Sequence, residues 1–94
     1  MDISRVKIIR NPKVSWQKVE GKVVVVNPEK RKIHILYESG ASIWEYLKEP
    51  KDLNELIRLI CDEYDVDMYQ AKRDIEEFIE KLKDKEIIVF LDIQ

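Results

Sequence analysis

The sequence predicts an α+β fold of the winged helix-turn-helix type, with a three-stranded antiparallel sheet packed on a three-helix bundle. Residues in the first half alternate between apolar and polar or are β-branched, as in strands. The second half repeats apolar residues at three- and four-residue steps, as amphipathic helices do, and turn or capping residues separate the segments. The 94 residues suffice for one modest hydrophobic core, so we expect a single domain over residues 1–94.

Three strands are predicted in the first half of the chain. The first, residues 14–19, begins with alternating apolar and polar side chains, and Glu20-Gly21 can turn the chain because Gly tolerates positive φ. The second, Val23–Val26, is a continuous β-branched run, which is typical of a central strand. Asn27-Pro28-Glu29 turns the chain again before the third strand, Ile33–Leu36. The result is a meander whose first and third strands are both edges.

A short first helix is expected to follow the third strand. Ser39 can cap it, and Pro50, which has no backbone N–H, is expected to end it. Its apolar residues are Ile43, Trp44 and Leu47.

Two longer helices are predicted to begin with the same capping pattern, Asp52 followed by Glu55 and Asp67 followed by Gln70. Both then repeat apolar residues at helical spacing, so that each buries one face. In the second helix this face is formed by Leu53, Leu56, Ile57, Ile60 and Tyr64. In the third helix, residues 68–84, the stripe consists of Met68, Ala71, Ile75, Phe78, Ile79 and Leu82.

The two ends of the chain contain further strand-forming segments. Ile87–Leu91 is an uninterrupted apolar run that would promote aggregation if left open, so we expect a paired strand or a buried extension. Val6–Arg10 is a candidate for a further strand. If either segment covers the first strand of the meander, the third strand keeps an open edge.

Catalytic and metal-binding patterns are missing from the sequence. The chain has one histidine, His34 on a predicted strand, and one cysteine, Cys61 on a predicted helix. Their co-occurrence alone does not indicate a catalytic pair. The sequence has neither paired metal-ligand spacing nor a glycine-rich phosphate loop. We therefore expect no enzyme activity, no cofactor and no metal site.

Composition and charge favour a cytoplasmic protein. The formal net charge is −2, which favours neither nucleic acid nor an anionic membrane as a partner. No apolar run approaches the roughly 20 residues that span a bilayer, and the polar opening Met1-Asp2-Ile3 is unlike a signal peptide. The single Cys61 indicates a reduced thiol.

DNA binding is the main alternative for a winged-helix fold. A recognition helix needs basic or amide side chains that meet bases and phosphates. The third helix instead mixes its charges, with Lys72, Arg73, Lys81 and Lys83 against Asp74, Glu76, Glu77, Glu80 and Asp84. The basic cluster Lys30-Arg31-Lys32, where a wing tip would lie, keeps this alternative open, although a solvated turn also accounts for it. A structural or dimerising subunit is a third possibility, because of the apolar C-terminal segment.

An open third strand suits peptide binding better. An unpaired edge offers N–H and C=O groups to which an extended peptide can add as a further strand. A neighbouring helix can then supply pockets for alternate side chains of the peptide.

Several segments, in this order, resemble the PqqD family, the pyrroloquinoline quinone biosynthesis protein D and its relatives. The resemblance covers about residues 14–88. It rests on Val23–Glu29, Ile35–Trp44 with its Gly40-Ala41-Ser42-Ile43-Trp44, Leu53–Ile57, Tyr64-Asp65-Val66-Asp67, and Asp74–Leu82 with its Asp74-Ile75-Glu76-Glu77-Phe78.

The resemblance implies a non-catalytic recognition domain for ribosomally made, post-translationally modified peptides. Family members bind the leader segment of a precursor peptide as an added strand, beside the third helix. They present it to a modifying enzyme, such as a radical S-adenosylmethionine protein, or to a leader protease. A monomer or a homodimer is compatible with this function.

The resemblance also implies a set of peptide-binding residues. The strand edge corresponds to Lys32, Ile33, His34, Ile35 and Leu36, and the helix contributes Arg73, Asp74, Glu77, Phe78 and Lys81. Two positions depart from the family pattern. Tyr37 stands where Asn is usual, and Glu86 stands where Gly usually follows the last helical Lys. The second departure suggests that the third helix runs differently into the last strand.

Overall fold

A computed structural model describes residues 3–92, apart from the side chain of Ser4, so Met1 and Asp2 of the polar opening lie outside the described residues. After a 3₁₀ turn at Ile3–Arg5, the strands and helices follow as β1 Val6–Arg10, β2 Ser15–Val19, β3 Lys22–Asn27, β4 Lys32–Leu36, α1 Ser39–Tyr46, α2 Leu53–Glu63, α3 Met68–Asp84 and β5 Ile88–Asp92. The predicted α+β fold is confirmed.

The three-stranded meander forms with its second strand in the middle, as predicted. The order is β2-β3-β4, and both pairings are antiparallel. Val25 pairs with Trp16 on one side and with His34 on the other. The β2–β3 turn has two residues of positive φ, Glu20 and Gly21, which is the geometry that matches the twist of a tight hairpin.

The two terminal strands pair with each other and form a separate two-stranded sheet. β1 runs antiparallel to β5, with Ile8 opposite Phe90. The extra C-terminal strand and the Val6–Arg10 strand are thus confirmed. Neither of them covers the first strand of the meander, the condition considered from the sequence, because the two terminal strands pair with each other. Within residues 3–92, β2 and β4 therefore both keep one edge without a strand partner.

The first helix is capped differently from the prediction. Its N-cap is Glu38, which has φ 54° and makes no side-chain capping bond, while Ser39 is already the first helical residue. The helix also ends before Pro50: Tyr46 is its last residue and Leu47 is the C-cap. The Leu47 side chain is fully buried although this residue lies beyond the last helical residue.

The caps of the two longer helices follow the sequence closely. Asp52 and Glu55 form both bonds of the capping box: the Asp52 side chain accepts from the Glu55 N–H at 2.8 Å, and Glu55 accepts from the Asp52 N–H at 3.1 Å. Asp67 accepts from the Gln70 N–H at 3.1 Å. The Gln70 side chain donates to Asp74 instead of returning to the cap.

The core lies between the helices, the inner face of the meander and the terminal strands. Its members without exposed surface are Ile8, Val23, Val25, Trp44, Leu47, Leu56, Ile79, Ile87 and Ile88. Most residues of the predicted helical stripes are buried, but Phe78, in the middle of the α3 stripe, is half-buried. Met68, the first residue of α3, is 65% exposed, so its place in the stripe was wrong, and Tyr64 at the end of α2 is half-buried.

No helix among the described residues is long and apolar enough to cross a membrane.

Candidate functional site

The outer edge of β4 and the helix α3 run side by side in opposite directions. Phe78, in the middle of α3, lies against Gly40, just beyond the C-terminal end of β4. At the other end, the Lys85 charge influences His34, near the start of β4. The Lys85 carbonyl also accepts a hydrogen bond from the Asn27 side chain, which holds the end of α3 against the β3–β4 hairpin.

A groove of about 530 Å³ lies between β4 and the C-terminal half of α3, and we call it the β4–α3 groove. Leu36, Phe78 and Leu82 give it an apolar floor, while His34, Lys81 and Lys85 give it polar walls. Ile33 and Ile35 lie at its rim on the strand edge; they are 66% and 56% exposed. Such exposure is unusual for isoleucine and leaves apolar surface beside the open edge.

A second cavity of about 420 Å³ lies between the three helices, and we call it the helical pocket. Its apolar wall is formed by residues such as Ile43, Ile60 and Ile75, and Asp74 and Glu77 stand on its α3 side. The two cavities share five lining residues and adjoin each other on either side of the Phe78 ring, and we call the two together the depression. The shared residues are Glu38, Ser39, Gly40, Phe78 and Lys81.

Gly40 allows this depression to keep its shape. A Cβ atom at position 40 would lie 3.1 Å from Cζ and 3.3 Å from Cε1 of Phe78, closer than nearly all real contacts. The missing side chain therefore lets the half-buried Phe78 ring lie against α1, where it separates the two cavities.

His34 is the titratable group most closely associated with the groove. It lies on the inner face of the sheet, half-buried, and its Nε2 atom is buried without a hydrogen-bond partner in the described chain. Burial lowers the pKa of His34, and the positive charges of Lys85 and Lys32 lower it further. The imidazole is therefore neutral at pH 7 and has a free nitrogen beside the groove.

Most of the predicted peptide-binding residues are brought together around these cavities. Those that line them are Ile33, His34, Ile35, Leu36, Asp74, Glu77, Phe78 and Lys81. Lys32 and Arg73 line neither cavity, although the charge of Lys32 reaches His34. The contact of any of these side chains with a peptide stays a prediction.

Sequence reasoning missed several lining residues, among them Glu38, Gly40 and Lys85. Lys85 had a usable signal, because it follows Lys81 by four residues and so falls on the same helix face. Gly40 had a weaker one, since glycine inside a helix often marks a close approach.

A separate polar cluster links α1 to α2. On α1 and α2, Glu63 accepts hydrogen bonds from Tyr46 and from Ser42, the latter at 2.7 Å. These bonds lower the pKa of Glu63, whereas burial and Glu63 raise that of Tyr46. Among residues 3–92, no group of three or more histidine, cysteine or acidic side chains is placed to hold a metal ion.

The chain is similar to known proteins in sequence and in structure. The family model for coenzyme PQQ synthesis protein D (PqqD) matches residues 22–88, from the start of β3 to the start of β5. No curated protein matches the chain.

Two solved structures share the fold. TbiB1 in complex with the TbiA(beta) leader peptide is 29% identical, with a TM-score of 0.80 over 85% of this chain and 93% of that one. Lasso peptide synthetase B1 complexed with the leader peptide is 20% identical, with a TM-score of 0.77 over 87% and 96%. At this lower identity, the second likeness establishes the fold alone.

Proposed function

Because this chain belongs to the PqqD family, we propose that it binds the leader segment of a precursor peptide as an added strand on β4 and presents it to a modifying enzyme. The chain itself is not an enzyme in this proposal, and it acts in the cytoplasm. Two structural neighbours, TbiB1 and lasso peptide synthetase B1, are each described in complex with a leader peptide. The modifying enzyme would be a radical S-adenosylmethionine protein or a leader protease, as the family resemblance implies.

The observation that carries the proposal is the open edge of β4 beside an apolar-floored groove. Strand addition needs unpaired backbone groups for the main chain of the peptide and pockets for its side chains. β4 has a strand partner on one side only, and Phe78 and Leu82 of α3 lie across the groove from it. Every second side chain of an added strand would point toward α3.

The size of the depression fits a short extended segment. β4 has five residues, and an added strand of equal length spans about 17 Å at roughly 3.3 Å per residue. Apolar side chains of the peptide would contact Phe78 and Leu82 in the groove and Ile43, Ile60 and Ile75 in the helical pocket. The residues proposed to contact the peptide are those inferred from the sequence, Lys32, Ile33, His34, Ile35, Leu36, Arg73, Asp74, Glu77, Phe78 and Lys81, together with Gly40 and Lys85.

The test uses a peptide selected by the protein itself, since the sequence of the precursor is unknown. A random 15-residue library displayed on mRNA is selected on the immobilised chain, and an enriched peptide is titrated into isotope-labelled protein. We expect amide shifts in residues 32–36 and on the facing side of α3. Shifts confined to the basic turn Lys30-Arg31-Lys32 would contradict the proposal.

A pair of matched variants separates binding from stability. Phe78→Ala removes the ring between the two cavities and should weaken the selected peptide at least about tenfold, because a buried aromatic contact contributes roughly 1.5–3 kcal/mol. Phe90→Ala removes the same ring type from β5, where it packs on the core and lines neither cavity. Isothermal titration calorimetry and thermal melts should show destabilisation in both variants but weaker binding only in Phe78→Ala. Equal affinities would overturn the assignment of the groove.

A further inference from the structure

Acidic and basic side chains lie at opposite ends of the depression. Asp74 and Glu77 line only the helical pocket, at one end. His34 and Lys85 line only the β4–α3 groove, at the other end, with Lys32 close enough to act on His34. The depression is therefore acidic at one end and basic at the other. The junction beside Phe78 is mixed, because Glu38 and Lys81 line both cavities.

These charges have no ion-pair partners within residues 3–92. Glu38, Asp74, Glu77, Lys32, Lys81 and Lys85 are absent from every ion pair there, whereas pairs such as Lys7–Glu55, at 3.0 Å, form elsewhere. Asp74 accepts one hydrogen bond, from Gln70.

The lysines near the end of α3 differ in what they contact. Basic residues in the last turn of a helix are favoured by its dipole, so they need no ligand. Lys83 also has a partner: its ammonium lies 5.3 Å from the centre of the Phe90 ring. Lys81 and Lys85, in the same stretch, point instead into the depression.

His34 adds an independent feature at the basic end. Its Nε2 atom is buried without a hydrogen-bond partner, between the fields of Lys32 and Lys85. A peptide carboxylate at this end would offset the repulsion between Lys32 and Lys85 beside the imidazole.

The direction of β4 relates these ends to the two ends of a bound peptide. β4 starts at the basic end with Lys32 and runs toward the mixed junction at Glu38, beyond which the acidic end lies. Antiparallel pairing is the more common arrangement of neighbouring strands. An antiparallel peptide enters at the acidic end with its N-terminal residues and leaves at the basic end with its C-terminal residues.

We propose that the peptide recognised here is graded in charge, with basic residues before an apolar centre and acidic residues after it. The basic residues meet Asp74 and Glu77, the apolar centre contacts Phe78, and the acidic residues meet Lys85 and Lys32. This specificity rests on the proposed function, because it assumes an extended peptide on β4. It defines the class of leader that the site accepts and the direction in which that leader lies.

The same random library tests the gradient without knowledge of the natural precursor. Peptides enriched on the wild-type chain should carry Lys or Arg on the N-terminal side of their apolar centre and Asp or Glu on the C-terminal side. Lys85→Glu should weaken an enriched peptide about three- to tenfold, and replacing the acidic residues of the peptide by Lys should restore affinity. Glu77→Lys should likewise weaken an enriched peptide, and replacing the basic residues of the peptide by Glu should restore affinity.

Matched controls lie on the same helix. Lys72 and Glu80 are exposed and line neither cavity, so Lys72→Glu and Glu80→Lys should leave the affinity unchanged. Raising the salt concentration to about 1 M, where the Debye length is roughly 3 Å, should remove most of the difference between Lys85→Glu and wild type.

The outcomes distinguish the gradient from the proposed function. Peptides that bind at β4 with no positional preference for charge overturn the gradient and leave the peptide-binding function intact. The reverse preference, acidic before basic, overturns the antiparallel direction and with it the proposal as stated. The proposed function itself is contradicted if the library gives no enriched peptide, or if the enriched peptides bind Phe78→Ala as tightly as they bind wild type.

Discussion

At the scale of single residues, Glu86 occupies a position that suits glycine. It follows the C-cap of α3, Lys85, and has φ 59°. Its N–H donates to the Lys83 carbonyl at 3.0 Å, and the next N–H, of Ile87, donates to the Leu82 carbonyl at 3.1 Å. This is the Schellman arrangement that ends many helices, where the left-handed residue is usually Gly. The departure from the family pattern therefore changes the residue but leaves an ordinary helix end.

We predict that Glu86→Gly stabilises the fold. A non-glycine residue in the left-handed conformation costs about 1 kcal/mol, and glycine removes that cost. The exposed ion pair with Lys30, at 3.6 Å, contributes little, so its loss should not cancel the gain. Urea unfolding should show an increase of about 1 kcal/mol in the free energy of unfolding. Glu86→Ala, which loses the ion pair but keeps the strain, is the control and should show no increase.

His34 should make stability depend on pH in a defined window. Burial, then Lys85 and Lys32, lower its pKa in the folded chain below the ordinary 6.5, so the unfolded chain binds this proton at a higher pH. The stability contributed by the neutral imidazole is complete above 6.5 and is lost as the pH falls toward the lowered folded pKa. Chemical unfolding between about pH 7 and pH 5 should show this decline.

His34→Gln provides the control for that measurement. It should give a flatter profile over the same range, because glutamine does not titrate. Glu55 and Glu63 have a pKa lowered from 4.5, so their contributions are lost only in more acidic solution. A wild-type profile as flat as that of the variant would contradict the role of His34.

At the scale of secondary-structure elements, Asn27 links the β3–β4 hairpin to the end of α3. It is 3% exposed. Its Nδ2 donates to the carbonyls of Lys85 and Glu86, at 3.2 and 3.4 Å, and its Oδ1 accepts from the N–H groups of Glu29 and Lys30. One buried side chain thus shapes the hairpin turn and sets the distance between the two elements that border the groove.

We predict that Asn27→Asp destabilises the chain by about 2 kcal/mol or more at neutral pH. Aspartate keeps the acceptor for the turn, but its carboxylate faces two carbonyl oxygens, of which Lys85 loses its donor while Glu86 keeps the bond from Asn11. Protonation restores one donor, so the difference from wild type should shrink below about pH 4. Urea unfolding of both proteins at each pH measures this. Equal stability at neutral pH would show that the link is unimportant.

The elements were predictable where local chemistry determines them. The caps at Asp52 and Asp67 and the turn at Glu20-Gly21 were visible in the sequence, because each needs only residues close in the chain. The caps of α1 were not, since Glu38 takes its conformation without a side-chain capping bond and the helix ends at Tyr46, before Pro50 is reached. The pairing of the two terminal strands also escaped prediction: their apolar runs fit any open edge, and only the folded chain brings them together.

The candidate site was predictable to a similar extent. The strand edge and the α3 residues came from the family resemblance, and eight of those ten residues line the cavities. The helical pocket as a cavity was not predicted, because it depends on the close packing of Phe78 against Gly40. These two residues belong to elements far apart in sequence.

At the scale of the whole molecule, the fold extends beyond the region that the family model matches. Residues 22–88 omit β1, β2 and nearly all of β5. β1 contributes Ile8, which is fully buried and exchanges backbone hydrogen bonds with Lys51 at 2.7 and 3.0 Å. β2 covers one edge of β3, the strand that carries Val23 and Val25.

A fragment of residues 22–88 should therefore fail to fold cooperatively. It would leave core residues exposed and β3 open on one side, which removes more stability than a small domain can spare. Circular dichroism melts should show no sharp transition, whereas residues 3–92 should unfold in one step. A cooperative transition of the short fragment at the same temperature would show that the terminal strands are dispensable.

The pairing of β1 with β5 also has a mechanical consequence. Val6 and Asp92, the outermost partners, lie side by side, and the chain leaves the sheet from both at the same end. Tension applied through the two ends therefore acts on the pairs one after another, from Val6–Asp92 toward Arg10–Ile88. Such a strand pair unzips under a weak pull, whereas strands loaded in shear would resist with all five pairs at once.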